Sequence, residues 1–124
     1  MPAYFVFKQE DLKKNVLEFV FSVSDSNKAN EARQIIADPS STKRHVSGTI
    51  VPTRIWYNTE WSYHFDPSTI GFFELAMEVC DANIQWVEEN LVDIGGSALP
   101  GMFWCPWASR LDREVFPIEP DGSK

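Results

Sequence analysis

Seven apolar residues, Phe73, Met77, Cys80, Ile84, Val87, Leu91 and Ile94, recur at spacings of 4, 3, 4, 3, 4 and 3. Side chains at that interval return to one face of an α-helix, so the stripe predicts a helix that must bury one side. Asp66-Pro67 upstream supplies an N-cap and a proline suited to the first turn, and Gly95-Gly96 downstream supplies a stop. Caps and stripe together predict one long helix over about 67–94. A second period runs through part of the same stretch: Phe73, Leu75, Met77 and Val79 alternate, which suits a strand over 71–80.

The rest of the chain reads mainly as strands. Residues 3–7 (AYFVF) are apolar. Residues 16–24 alternate in part, with Phe19, Phe21 and Val23 against Glu18, Ser22 and Ser24. The polar residues between them suit a hairpin connection. Asp25-Ser26-Asn27 is N-cap chemistry, and Ala29, Ala32, Ile35 and Ile36 then mark a helical face that Pro39 ends. Residues 44–55 are β-branched until Pro52 limits further pairing. Residues 61–66 alternate cleanly: Trp61, Tyr63 and Phe65 on one face, Ser62, His64 and Asp66 on the other. Residues 110–116 (RLDREVF) make a last short strand. The expected fold is α+β: a two-layer domain over 1–116, with a mostly antiparallel sheet of four or five strands packed by two helices, the second one long. The order β-β-α-β-β-α-β permits a ferredoxin-like arrangement. The tail, 117–124, reads as flexible.

Charge narrows the partners. Eighteen acidic residues against eleven basic ones give a formal charge of −7. Such a surface repels phosphate backbones and anionic lipid, so neither nucleic acid nor a membrane is expected, and a protein is. No apolar run approaches the length of a membrane span. Met1-Pro2-Ala3-Tyr4 lacks the basic and apolar regions of a signal peptide, and both a cytoplasmic protein and a mature secreted form fit. Aromatic residues make up 14% of the chain, with five Trp and nine Phe. They supply core mass when buried and contact anchors when exposed.

Chemistry-bearing residues are few and scattered. His64 and Asp66, two apart on a strand, form a base with an orienting carboxylate in one reading, and a solvent-facing His beside a helix cap in the other. Cys105 stands in a loop where a thiolate would be reachable, whereas Cys80 lies on the apolar stripe. Cys80 and Cys105 are either one disulfide or two packed thiols. The single Cys and His residues lack the local pairing of a zinc site, so no metal and no other cofactor is expected. The segment 97–107 (SALPGMFWCPW) holds Phe103, Trp104, Pro106 and Trp107. These are rigid groups that lose little entropy on binding, and are either a recognition surface or a lid on the core. Trp56, Tyr57 and Trp61 are its candidate neighbours.

Several stretches taken together carry a resemblance. They are residues 45–51 (HVSGTIV), Tyr57-Asn58, 61–67 (WSYHFDP), Phe72-Phe73-Glu74, 78–82 (EVCDA), Gly95-Gly96, Leu99-Pro100-Gly101 and Trp104-Cys105-Pro106-Trp107. In this order they resemble the N-terminal domain of a family of calmodulin-binding, cyclic-AMP-inducible proteins, over about 3–115. The resemblance implies a non-enzymatic binding domain linked to calmodulin, and brings no catalytic residues with it. Calmodulin targets are basic amphipathic helices. The predicted long helix instead carries Glu74, Glu78, Asp81, Glu88, Glu89 and Asp93, with no Lys or Arg. Three functions therefore stand: a protein-interaction module centred on 97–107, a protease inhibitor presenting that loop, and a small enzyme using His64, Asp66 and Cys105.

Overall fold

The structure is a computed structural model that describes residues 2–76 and 78–120. Its first sheet is built on a hairpin. Strand β1 (Ala3–Glu10) pairs antiparallel with β2 (Val16–Val23), placing Phe5 opposite Phe21 and Phe7 opposite Phe19. Alternation in both strands therefore directs a set of phenylalanines to one face. The last strand, β9 (Arg110–Val115), pairs along the other edge of β1, with a bulge beside Val6 and Phe7.

The second sheet is organised by β3 (His45–Val51), which ends one residue before Pro52. It pairs antiparallel with three short strands: β4 (His64–Phe65), β5 (Gly71–Phe73) and β8 (Phe103–Trp104). A parallel pair, β6 (Ile94–Gly95) with β7 (Ala98–Pro100), lies outside both sheets. The α+β class and the two helices hold, but the strands form two sheets rather than the single four- or five-stranded sheet expected. Strands of two or three residues leave little hydrophobic trace in the sequence, which is why they merge into other patterns.

The core lies where the two sheets meet. Trp104 is fully buried, with ring centroids 5.9 Å from Phe7, 5.3 Å from Phe19, 5.4 Å from Tyr63 and 5.2 Å from Phe65. Its indole Nε1 donates to the carbonyl of Ala82, so the ring's one polar atom is satisfied. Gly48 allows the close approach: a Cβ there would stand 2.7 Å from the Phe65 ring. Helix α1 (Ser26–Ala37) covers the remainder of the first sheet with Ala29, Ala32 and Ile35. Asp25 caps it by accepting from the Asn27 N–H, and Arg33 grips Glu114 of β9 through two 2.9 Å hydrogen bonds. That bidentate contact holds the Glu114 carboxyl below its ordinary range.

The long helix over 67–94 does not form. Its span contains β5, a 3₁₀ turn (Glu78–Cys80) and the short helix α2 (Ile84–Glu89). The stripe still marks burial, for Cys80, Ile84, Val87 and Ile94 are all inside; Met77 lies outside the described residues. Competing partners take the backbone groups that a continuous helix needs. Gly71–Phe73 is drawn into pairing with β3. Asp66 caps no helix; its carboxylate accepts from the N–H and hydroxyl of Ser68 in a turn. Asn83 is the true N-cap, accepting from the Trp86 N–H, while Gln9 Oε1 accepts from the N–H of Ile84. Gly95 turns the chain with φ +98° inside β6 rather than stopping a helix. The strand expected over 61–66 shrinks to His64–Phe65, and His64 is buried with its Nδ1 2.7 Å from the Thr53 carbonyl oxygen.

The segment 56–61 wraps the outer edge of β2. Asn58 Oδ1 accepts from the Val20 N–H and its Nδ2 donates to the Tyr63 carbonyl; Trp61 Nε1 donates to the Glu18 carbonyl. Trp56 and Tyr57 close on Tyr4, with centroids 5.7 and 5.1 Å away. The Tyr57 hydroxyl is buried without a hydrogen-bond partner among the described residues, and that burial pushes its pKa up to about 12. A buried, unpaired hydroxyl costs folding free energy. Tyr57→Phe is therefore expected to leave the melting temperature unchanged or raise it by a few degrees; a fall of several degrees would mean that the hydroxyl has a partner in solution.

Candidate functional site

The disulfide sets the geometry of the region rich in Trp. Cys80 and Cys105 are bonded, their Cα atoms 5.1 Å apart, and the Cys105 N–H donates to the Cys80 carbonyl at 2.7 Å. The bond ties the 3₁₀ turn to the end of β8. One residue beyond Cys80, Asp81 Oδ1 accepts from the Trp107 N–H at 2.9 Å. These links hold residues 80–83 alongside 105–107.

The structure sorts the sequence-predicted residues of 97–107 into two groups. Trp104, Cys105 and Pro106 are buried, as is Leu99. Phe103 and Trp107 remain exposed at 42% and 37%. The loop is thus stitched into the fold at its centre and presents side chains only at intervals. Trp56, Tyr57 and Trp61 do not join it. They belong to the β2 edge, where Tyr57 is buried and Trp56 and Trp61 half-buried. The trio His64, Asp66 and Cys105 is engaged elsewhere: His64 with Thr53, Asp66 with Ser68, and the Cys105 sulfur in the disulfide. A bonded sulfur is no thiolate nucleophile.

Beside Trp107 is an open groove of about 520 Å³. Val79, Ala82, Trp86, Leu99 and Trp107 form its apolar walls, and Gln9, Asp81 and Asn83 its polar ones. Val79 and Trp86 are exposed at 52% and 39%, so this is an apolar surface rather than a sealed cavity. The polar groups are held in place by the backbone. Gln9 Oε1, Asn83 Oδ1 and Asp81 Oδ1 each accept a main-chain N–H, from Ile84, Trp86 and Trp107. Trp86, Asp81, Asn83 and Gln9 were not among the sequence candidates. Trp86 could have been: it falls off the buried stripe, so its position on a helix leaves it facing outward. Gln9 carried no signal, because only the tertiary fold brings β1 beneath α2.

Charge is distributed unevenly around this region. Residues 55–109 contain eight acidic side chains and no Lys or Arg, while the rest of the chain has ten acidic and eleven basic residues. The acidity of the protein thus resides in the segment that builds the groove. Among the described residues, no group of three or more His, Cys, Asp or Glu side chains is placed to hold a metal ion, and no helix is long and apolar enough to cross a membrane. No curated protein and no solved structure matches the chain. Residues 1–117 do match a family model, that of the N-terminal domain of a calmodulin-binding, cyclic-AMP-inducible protein. With that span covered, the chain belongs to this N-terminal domain family.

Proposed function

We propose that this domain is a non-enzymatic protein-interaction module and that its binding surface is the groove between Trp86 and Trp107. The observation that carries the reading is a pair of partly exposed indoles on a segment held by a disulfide. Tryptophan is the residue most enriched where interfaces concentrate their energy, and a surface already fixed in place loses little entropy on binding. Family membership supports a binding role, because the protein that gives the family its name is calmodulin-binding and cyclic-AMP-inducible. The calmodulin link itself rests on the family. α1 is amphipathic but uses its apolar face on the sheet, and the groove is acidic. A contact with calmodulin, whose targets are basic amphipathic helices, would use another surface.

The test is a defined library of synthetic peptides presented to the immobilised domain, beside Trp86→Ser and Trp107→Ser variants. Because both indoles are more than a third exposed, the variants are expected to fold, with unchanged circular dichroism. Peptide retention is expected to fall by about tenfold or more, the usual scale for an interface hot spot. Retention that survives both substitutions would move the binding surface elsewhere. The inhibitor reading draws less support, since a protease-blocking loop must project and the centre of 97–107 is buried.

A further inference from the structure

The groove has a chemical polarity that narrows what it takes. Asp81 supplies a carboxylate whose Oδ1 is fixed by the Trp107 N–H, leaving Oδ2 to face a ligand. Indole faces attract cations through their negative quadrupole, and a cation held by both an indole and a carboxylate gains from each. Among the described residues, no lysine or arginine lines the groove. Lys8 and Arg110 stand beyond Gln9, in an adjoining depression that Glu10 shares.

A second feature is independent of charge. Gln9 is 4% exposed, yet it lines the groove. Its Oε1 is occupied by the Ile84 N–H, and its amide nitrogen makes no hydrogen bond among the described residues. That leaves a largely buried donor pair at the groove floor. A donor of this kind calls for a ligand carbonyl. Cation and carbonyl together describe a peptide: a basic side chain carried on a backbone.

We propose that the groove binds a lysine or arginine side chain on an extended segment of a partner protein, its cation at Asp81 against the indoles and a backbone carbonyl on the Gln9 amide. The inference rests on the protein-interaction reading and sharpens it to a partner chemistry. It also accounts for the segregated charge. A surface with eight acidic groups and no basic one along 55–109 draws in a basic segment and repels an acidic one.

The test uses the full chain and three fluorescein-labelled ten-residue peptides. Each has a Gly/Ser backbone and one Leu, with two Lys, two acetyl-lysines or two Glu. Fluorescence anisotropy at low and physiological salt gives the affinities. The lysine peptide is expected to bind at least about tenfold more tightly than either other, with an advantage that shrinks as salt rises. Asp81→Asn keeps the acceptor for the Trp107 N–H and removes only the charge. It is expected to erase that preference with no change in melting temperature, and Trp86→Leu, which keeps apolar mass without the ring, to halve it or more. Equal binding of all three peptides, lost in Trp107→Ser, would overturn the cation inference and leave the interaction module standing. Absence of binding in every arm would overturn both. The hairpin tip offers an internal rival, with Leu12 fully exposed beside Lys13 and Lys14. Self-association abolished by both Asp81→Asn and Lys13→Glu would assign the groove to a second copy and overturn the proposal.

Discussion

Opening the Cys80–Cys105 bond is expected to cost about 3 kcal/mol of folding free energy. The cross-link spans 25 residues, and loop-closure entropy for a loop of that length gives a loss of about 3 kcal/mol. For a domain of this size that corresponds to a fall of about 10 °C in melting temperature. Calorimetry of the native protein against a Cys80→Ser, Cys105→Ser double variant measures it. A drop of only a degree or two would mean that packing, not the bond, holds 78–83 against 105–107. The bond should matter doubly for binding, because it fixes the backbone on which Asp81 and Trp107 stand. Peptide affinity is thus expected to weaken in the double variant even at temperatures where the core is intact.

Trp104→Ala is expected to be the most destructive single substitution. It removes the largest fully buried side chain and leaves a cavity between the two sheets, which costs about 3–5 kcal/mol. The Ala82 carbonyl would also lose its indole donor in a region that water reaches poorly. Marginal domains have about 5–15 kcal/mol in total, so unfolding in urea should begin at much lower concentration, with the transition itself still cooperative. Trp104→Phe keeps most of the ring mass and is expected to recover part of the loss. If Trp104→Ala changed stability by less than about 1 kcal/mol, the residue would belong to the surface and not to the core. This separates Trp104 from Trp107, three residues on, whose removal is expected to change binding and spare the fold.

Much of the fold was legible in the sequence where elements are long. β1, β2, α1, β3 and β9 each extend over at least six residues and announce themselves by alternation or caps: Phe19 and Phe21, Asp25, Pro52. The region from 61 to 104 was not legible, and for one physical reason. Its apolar residues recur at helical intervals because one side of an irregular path must be buried, and burial can impose such spacing without a helix. Asn83 was the sign that a new helix starts there, since Asn competes for the backbone inside a helix and stabilises its beginning. The disulfide was one of two open readings; the structure decides it by bringing the two Cα atoms within bonding reach. Of the residues proposed for contact, Phe103 and Trp107 are exposed, Trp104 and Tyr57 are inside, and the groove's polar floor at Gln9 was invisible until the strands were paired.

The wrapped edge of β2 has a further consequence. A display of exposed indoles invites chains to stick, and unsatisfied strand edges are where sticking becomes polymerisation. Here the outward N–H of Val20 and carbonyl of Glu18 are already taken by Asn58 and Trp61. An incoming strand therefore finds the middle of that edge occupied. The protein can hold an adhesive patch open on one side while the nearest template for amyloid-like growth is shut by two side chains from a loop.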